Sequence, residues 1–150
     1  QLFGDERQDY AMALDTHYGE TGPTTPWQDS YISQYARTHP WEDFAETFAH
    51  FLHITDTLQS AASNGVRLAG LPGDWPPEVE QAMVCVPRVD PASETDMRQI
   101  LRQWLPLAAA LNEANRSMGK RDLYPFTIPD AVVCKLQYVL DLITQASSTR

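Results

Sequence analysis

Apolar positions recur at three- and four-residue spacing along four stretches of the chain, and no stretch shows a clean period of two. Four amphipathic helices follow. The most regular begins at Pro40, a residue tolerated in a first turn because its missing N–H has no partner there. Glu42 and Asp43 then bring negative charge to the positive end of the helix dipole. This helix is expected to reach about residue 62 and stop at Asn64-Gly65, with Phe44, Phe48, Phe51, Leu52, Ile54 and Leu58 as its apolar face. An earlier helix is expected over residues 6–18, ended by Gly19, and a loop over 19–30, while 30–35 suits a helical turn or an extended stretch equally.

A third helix is expected to start near Ser93, with Asp96 in its first turn. Met97, Ile100, Leu101, Trp104, Ala108, Leu111, Asn115 and Met118 form its stripe, Pro106 should kink it, and Gly119 ends it. A fourth starts at Pro129-Asp130 and carries Val132, Leu136, Val139, Leu140 and Ile143, with a loose tail over 147–150. Residues 64–92, rich in Gly and Pro, read as an irregular connector with a short helix over 77–83. A strand over 84–89 is the alternative to an all-α reading. The expected fold is mainly α: an irregular multi-helix unit with long Pro/Gly-rich loops, a single unit over residues 1–150.

Charge narrows the partners. The net charge is -9, and residues 1–63 hold ten acids against two bases. Nucleic acid and anionic membrane both require a basic face, so neither is an expected partner. No apolar run reaches the roughly 18 residues of a membrane span, and no basic-then-apolar leader is present. Cys85 and Cys134 are 49 positions apart in apolar surroundings, which reads as two buried, reduced thiols in a cytoplasmic protein.

The helix from Pro40 carries more than an apolar face. At about 100° per residue, Glu42, Glu46, His50, His53 and Asp56 fall on one arc of about 120°. A solvated polar face explains this, and so does a set of carboxylates and imidazoles that share a cation or pair with one another. The arc lacks Lys and Arg, which a merely wet helix usually mixes in. Other chemistries are excluded: the chain has no G-x-S-x-G, P-loop, G-x-G-x-x-G or H-E-x-x-H, and neither cysteine has a nucleophile signature.

Residues 34–48 are distinctive. Glu42-Asp43-Phe44-Ala45-Glu46-Thr47-Phe48, with Tyr35 seven residues before Glu42, resembles the third-ligand helix of Glu-ligand zinc peptidases of the anthrax lethal factor type. The runs Leu2-Phe3-Gly4-Asp5-Glu6-Arg7, His39-Pro40-Trp41-Glu42-Asp43, Leu52-His53-Ile54, Asn115-Arg116-Ser117-Met118-Gly119 and Tyr124-Pro125-Phe126 resemble, more closely still, a bacterial family of zinc-binding metallopeptidases. The resemblance spreads over about positions 2–126 and implies a zincin-like catalytic domain. It implies that Glu42 is a zinc ligand, Glu46 the carboxylate behind it, and Tyr35 a hydrogen-bond donor to the developing oxyanion. Such roles are chemically sound, since three protein ligands leave zinc an open position for water.

The family carries H-E-x-x-H upstream of the Leu-Phe-Gly-Asp-Glu-Arg run, and here the chain opens on that run. The resemblance therefore implies the C-terminal part of a zinc peptidase, inactive in isolation and binding zinc weakly or not at all. Peptide or protein is the implied substrate, and dimerisation through exposed apolar surface is a further expectation. The competing reading is a non-catalytic helical interaction module with an acidic face. A third is a self-sufficient metal site of Glu42, Glu46 and His50.

Overall fold

A computed structural model describes residues 2–19, 26–68 and 95–148. The fold is mainly α: α1 (Tyr10–Gly19), a 3-10 turn (Tyr35–Arg37), α2 (Pro40–Ser63), α3 (Met97–Ser117) and α4 (Asp130–Ser148), with no strand among the described residues. The expected helix over 77–83, the alternative strand over 84–89, Cys85 and the Ser93 cap lie outside the described residues. The chain forms two compact units, Gln1–Phe51 with Phe126–Val139, and Leu52–Pro125 with Leu140–Arg150.

In the first unit α1 starts four residues later than expected. Residues 5–8 close a turn of their own, the Gln8 N–H donating to the Asp5 carbonyl, and Arg7 is tied to the Asp5 carboxylate at 2.7 Å. Asp9 then accepts the Met12 N–H at 2.9 Å and so starts the helix. Gly4 has φ +93°, and a β-carbon there would sit 3.3 Å from the Pro40 ring. Phe3 meets Phe44 and Tyr138 edge-on at 5.4 and 5.7 Å. Phe3 and Gly4 thus pack beside the start of α2.

Helix α2 begins and ends as expected. His39 precedes it: its carbonyl accepts the Asp43 N–H, its Nδ1 accepts the Trp41 N–H at 3.1 Å, and its Nε2 lies 3.1 Å from the Gln8 carbonyl. Both partners are satisfied together by a neutral ring carrying its proton on Nε2. At the far end Gly65 adopts φ +67°, and Gly65 and Val66 donate back to the Ala62 and Ala61 carbonyls, a Schellman close.

The buried face of α2 differs from the expected one. Phe51, Ile54 and Leu58 are buried, but Phe44 and Leu52 are exposed, and Asp43, Thr47, His50 and Thr55 are buried instead. The stripe is rotated toward the polar side of the first two turns. The reason lies on α4. Val132, Val133, Leu136 and Val139 are buried there, and so is Lys135, whose ammonium donates to Asp43 Oδ2 at 2.6 Å and to the Ser30 carbonyl at 2.7 Å. It also sits 4.3 Å from the Tyr31 ring centre. Burial pushes the Asp43 carboxyl up, and Lys135 only partly opposes that. Cys134, expected to be buried, is exposed with a free thiol, because its neighbour Lys135 takes the inward position.

In the second unit α3 starts at Met97, later than the expected start near Ser93, because Asp96 is its extended cap and not part of its first turn: Asp96 accepts the Arg98 N–H at 2.9 Å. Met97, Ile100, Leu101, Trp104 and Ala108 are buried as the spacing predicts, and Pro106 and Leu107 join them. Met118, expected on the stripe, is exposed. The helix has already ended at Ser117, and Gly119 (φ +70°) closes it. The polar residues near its end hold the following loop. Asn112 donates to the Tyr124 carbonyl at 2.8 Å and accepts the Tyr124 N–H at 2.9 Å. Asn115 donates to the Arg121 carbonyl, and Arg116 grips both oxygens of Asp122. Tyr124 is thereby set edge-on against Trp104 at 4.9 Å. Replacing Asn112 with alanine removes both of its hydrogen bonds to the Tyr124 backbone and is expected to cost about 1–3 kcal/mol, read as a lower denaturant midpoint. Helix α4 runs on through Ser147 and Ser148, where a loose tail was expected, each hydroxyl bonding the carbonyl four residues back.

Candidate functional site

Glu42 lies in the first turn of α2 and Glu46 one turn further, so both carboxylates project from the same side of the helix. Each is half-buried and each is held by a residue from another segment of the first unit. The Tyr10 hydroxyl, from the first position of α1, donates to Glu42 Oε1 at 2.5 Å. The Ser33 hydroxyl donates to Glu46 Oε2 at 2.8 Å and accepts the Ala36 N–H at 3.1 Å, which also starts the 3-10 turn.

Tyr35 opens that turn, with its ring edge-on to His17 at 6.0 Å. Tyr35 lies near enough to Tyr10 and Glu42 for the three groups to influence one another electrostatically. Their mutual influence has a definite sign. The Tyr10 hydroxyl rises well above the ordinary phenol range, first because it donates to Glu42, then because of Tyr35 and lost hydration. The Tyr10 hydroxyl pulls Tyr35 down, but lost hydration and the Glu42 charge outweigh this and leave Tyr35 raised. Both phenols therefore stay protonated at neutral pH, as hydrogen-bond donors.

The arc of five ionisable side chains does not form a cluster. His50 is buried and packs edge-on against Phe126 at 4.4 Å, while His53 and Asp56 are exposed. Among the described residues no three His, Cys, Asp or Glu side chains come close enough to hold a metal ion. The self-sufficient site of Glu42, Glu46 and His50 is thereby corrected: at the edge of the stripe, burial behind Phe126 draws the imidazole inward. The remaining donor set fits one corner of a zinc site. The Glu42 carboxylate would offer one oxygen to such a site, and a phenol already holds it.

Tyr10 and Ser33 escaped the sequence reading. Tyr10 is 32 residues from Glu42, and Ser33 is 13 from Glu46. Helical periodicity links positions three and four apart and carries no signal across such separations. Two cavities lie elsewhere. One of about 450 Å³ is lined by Phe3, Tyr31, Asp43, Cys134 and Lys135 among others. The other, about 270 Å³, is lined by His53, Trp104, Leu111 and Tyr124 among others. Neither is lined by Glu42, Glu46 or Tyr35.

Comparison with known proteins gives one family. The family described as "Putative zinc-binding metallo-peptidase" matches residues 1–142. Uncharacterized proteins of Mycobacterium bovis and of two strains of Mycobacterium tuberculosis are each 42% identical over 147 residues, 98% of this chain and 39% of their own length. The chain thus spans about two-fifths of the length of the curated relatives it matches. No solved structure matches it.

Proposed function

This chain belongs to the family described as "Putative zinc-binding metallo-peptidase", and from that premise we propose that it is the C-terminal part of a peptidase that hydrolyses peptide bonds with zinc-activated water. One observation carries the reading: the half-buried Glu42 carboxylate accepts the Tyr10 hydroxyl hydrogen, with Tyr35 near enough to sense its charge, in the segment that resembles a zinc-ligand helix. Glu42 is the zinc ligand this chain contributes, and the other ligands come from elsewhere in the whole protein. Zinc, when bound, lowers the pKa of a water and polarises the scissile carbonyl.

The chain's own residues do the rest. Tyr35, kept protonated beside Glu42, donates its hydroxyl hydrogen to the oxygen that gains charge as the carbonyl is attacked. Glu46, anchored by Ser33, keeps a second negative charge one turn behind the ligand, which favours a cation. In isolation the described residues bring together too few donors for tight zinc binding. The cytoplasm is the proposed compartment, supported by the free thiol of Cys134. Among the described residues no helix is long and apolar enough to cross a membrane.

The test uses the full-length protein. Tyr35→Phe is expected to lower kcat by about 100- to 1,000-fold with zinc content unchanged. Full activity in that variant removes Tyr35 from the mechanism. A full-length protein that neither holds zinc nor cleaves peptides would leave the acidic interaction module in its place. Self-association is a companion proposal, supported by the exposed Leu105, Met118 and Leu123. Light scattering at high concentration is expected to report a dimer, and a clean monomer ends that idea.

A further inference from the structure

Tyr10 is held more firmly than a surface tyrosine needs to be. Its ring packs edge-on against His39 at 5.2 Å and lies tilted on Trp41 at 5.6 Å, and those two rings meet at 5.0 Å. His39 is itself 2% exposed and anchored through both ring nitrogens. Asp9, capping α1, places Tyr10 at the first helical position. The place of the Tyr10 hydroxyl is therefore set from three directions, and that hydroxyl donates to Glu42 Oε1.

On the footing of the zinc-peptidase reading, we propose that Tyr10 is a positioning residue for Glu42, holding one carboxylate oxygen so that the side chain is already ordered when the cation arrives. A glutamate in a first helical turn has several accessible rotamers, and binding a cation would restrict them. A charge-assisted hydrogen bond from a fixed donor meets that ordering cost beforehand. Metal-ligating carboxylates commonly depend on such outer partners. The buried His39 and the exposed Trp41 then act at one remove, as the seat of the Tyr10 ring.

Tyr10→Phe separates this role from packing, because it keeps the ring and removes only the hydroxyl. In the full-length protein, zinc affinity measured by competition with a chromophoric chelator is expected to fall about 10- to 100-fold, with the melting temperature unchanged. Glu42→Asp, which withdraws the carboxylate from Tyr10, supplies the second arm of a double-mutant cycle. Adding Tyr10→Phe to it is expected to change zinc affinity less than twofold. If Tyr10→Phe itself lowers the melting temperature, the cycle still decides, since a global loss adds to Glu42→Asp and a positioning loss does not. Wild-type affinity in Tyr10→Phe, or fully additive losses, overturns the inference while Glu42 stands. Full zinc retention in Glu42→Gln overturns the underlying reading instead.

Discussion

Replacing Asp43 with alanine is expected to destabilise the fold by about 3–5 kcal/mol, because it leaves the Lys135 ammonium buried and without its counter-charge. The two side chains are 1% and 7% exposed and meet at 2.6 Å. The Ser30 carbonyl and the Tyr31 ring remain as partners in the variant, but neither carries a full negative charge. A denaturant midpoint in the variant close to that of the parent would show that the pair is not sealed from water.

The pair is costly to break, yet it is not a large net source of stability. Burial is the leading influence on Asp43 and raises its pKa above the unfolded value, against the pull of Lys135. A carboxyl raised on folding favours the folded state most fully below its unfolded pKa. That contribution fades as pH rises through the folded pKa. For the ionised Asp43 the cost of burial offsets part of its attraction to Lys135. The double replacement Asp43→Leu with Lys135→Met is accordingly expected to be neutral or stabilising by about 1–4 kcal/mol. The outcome separates the net worth of the pair from the penalty of orphaning one member.

The second large effect concerns Glu42. In the full-length protein, Glu42→Gln is expected to weaken zinc binding by more than about 100-fold, since outer-shell partners alone are worth about 10- to 100-fold. Turnover should fall with the metal. The fold should hardly notice: Glu42 is half-buried, glutamine still accepts from Tyr10, and a charge at a helix start is worth about 0.3–1 kcal/mol. Zinc content by atomic absorption, read beside the melting temperature, distinguishes a lost ligand from a lost fold. Full zinc and full rate in this variant would end the assignment.

Much of the local structure was legible. The start of α2 at Pro40 and the glycine closes at Gly65 and Gly119 follow from rules that act within one or two turns. The buried Met97, Ile100, Leu101, Trp104 and Ala108 of α3 and Val132, Leu136, Val139 and Leu140 of α4 follow from periodicity. The runs that carry the family resemblance are explained in good part by structure. Gly4 accommodates Pro40, Asn115 and Arg116 hold the loop after α3, and His39 starts α2 and seats Tyr10. Glu42, Glu46 and Tyr35 were singled out from one short segment, within reach of a motif. Their partners Tyr10 and Ser33 were not, because those contacts join segments that no periodicity connects.

The sequence by itself determined where α2 begins and ends, where α3 closes, which helices are amphipathic, and which carboxylates are worth attention, because these depend on neighbours a few residues away. Tertiary structure alone decided that α2 turns Asp43 and His50 inward, that Lys135 displaces Cys134 from the interior, and that a phenol from α1 holds Glu42. Each of those outcomes is a choice between burying a polar side chain against a partner and leaving it wet, and the partner arrives from another part of the chain.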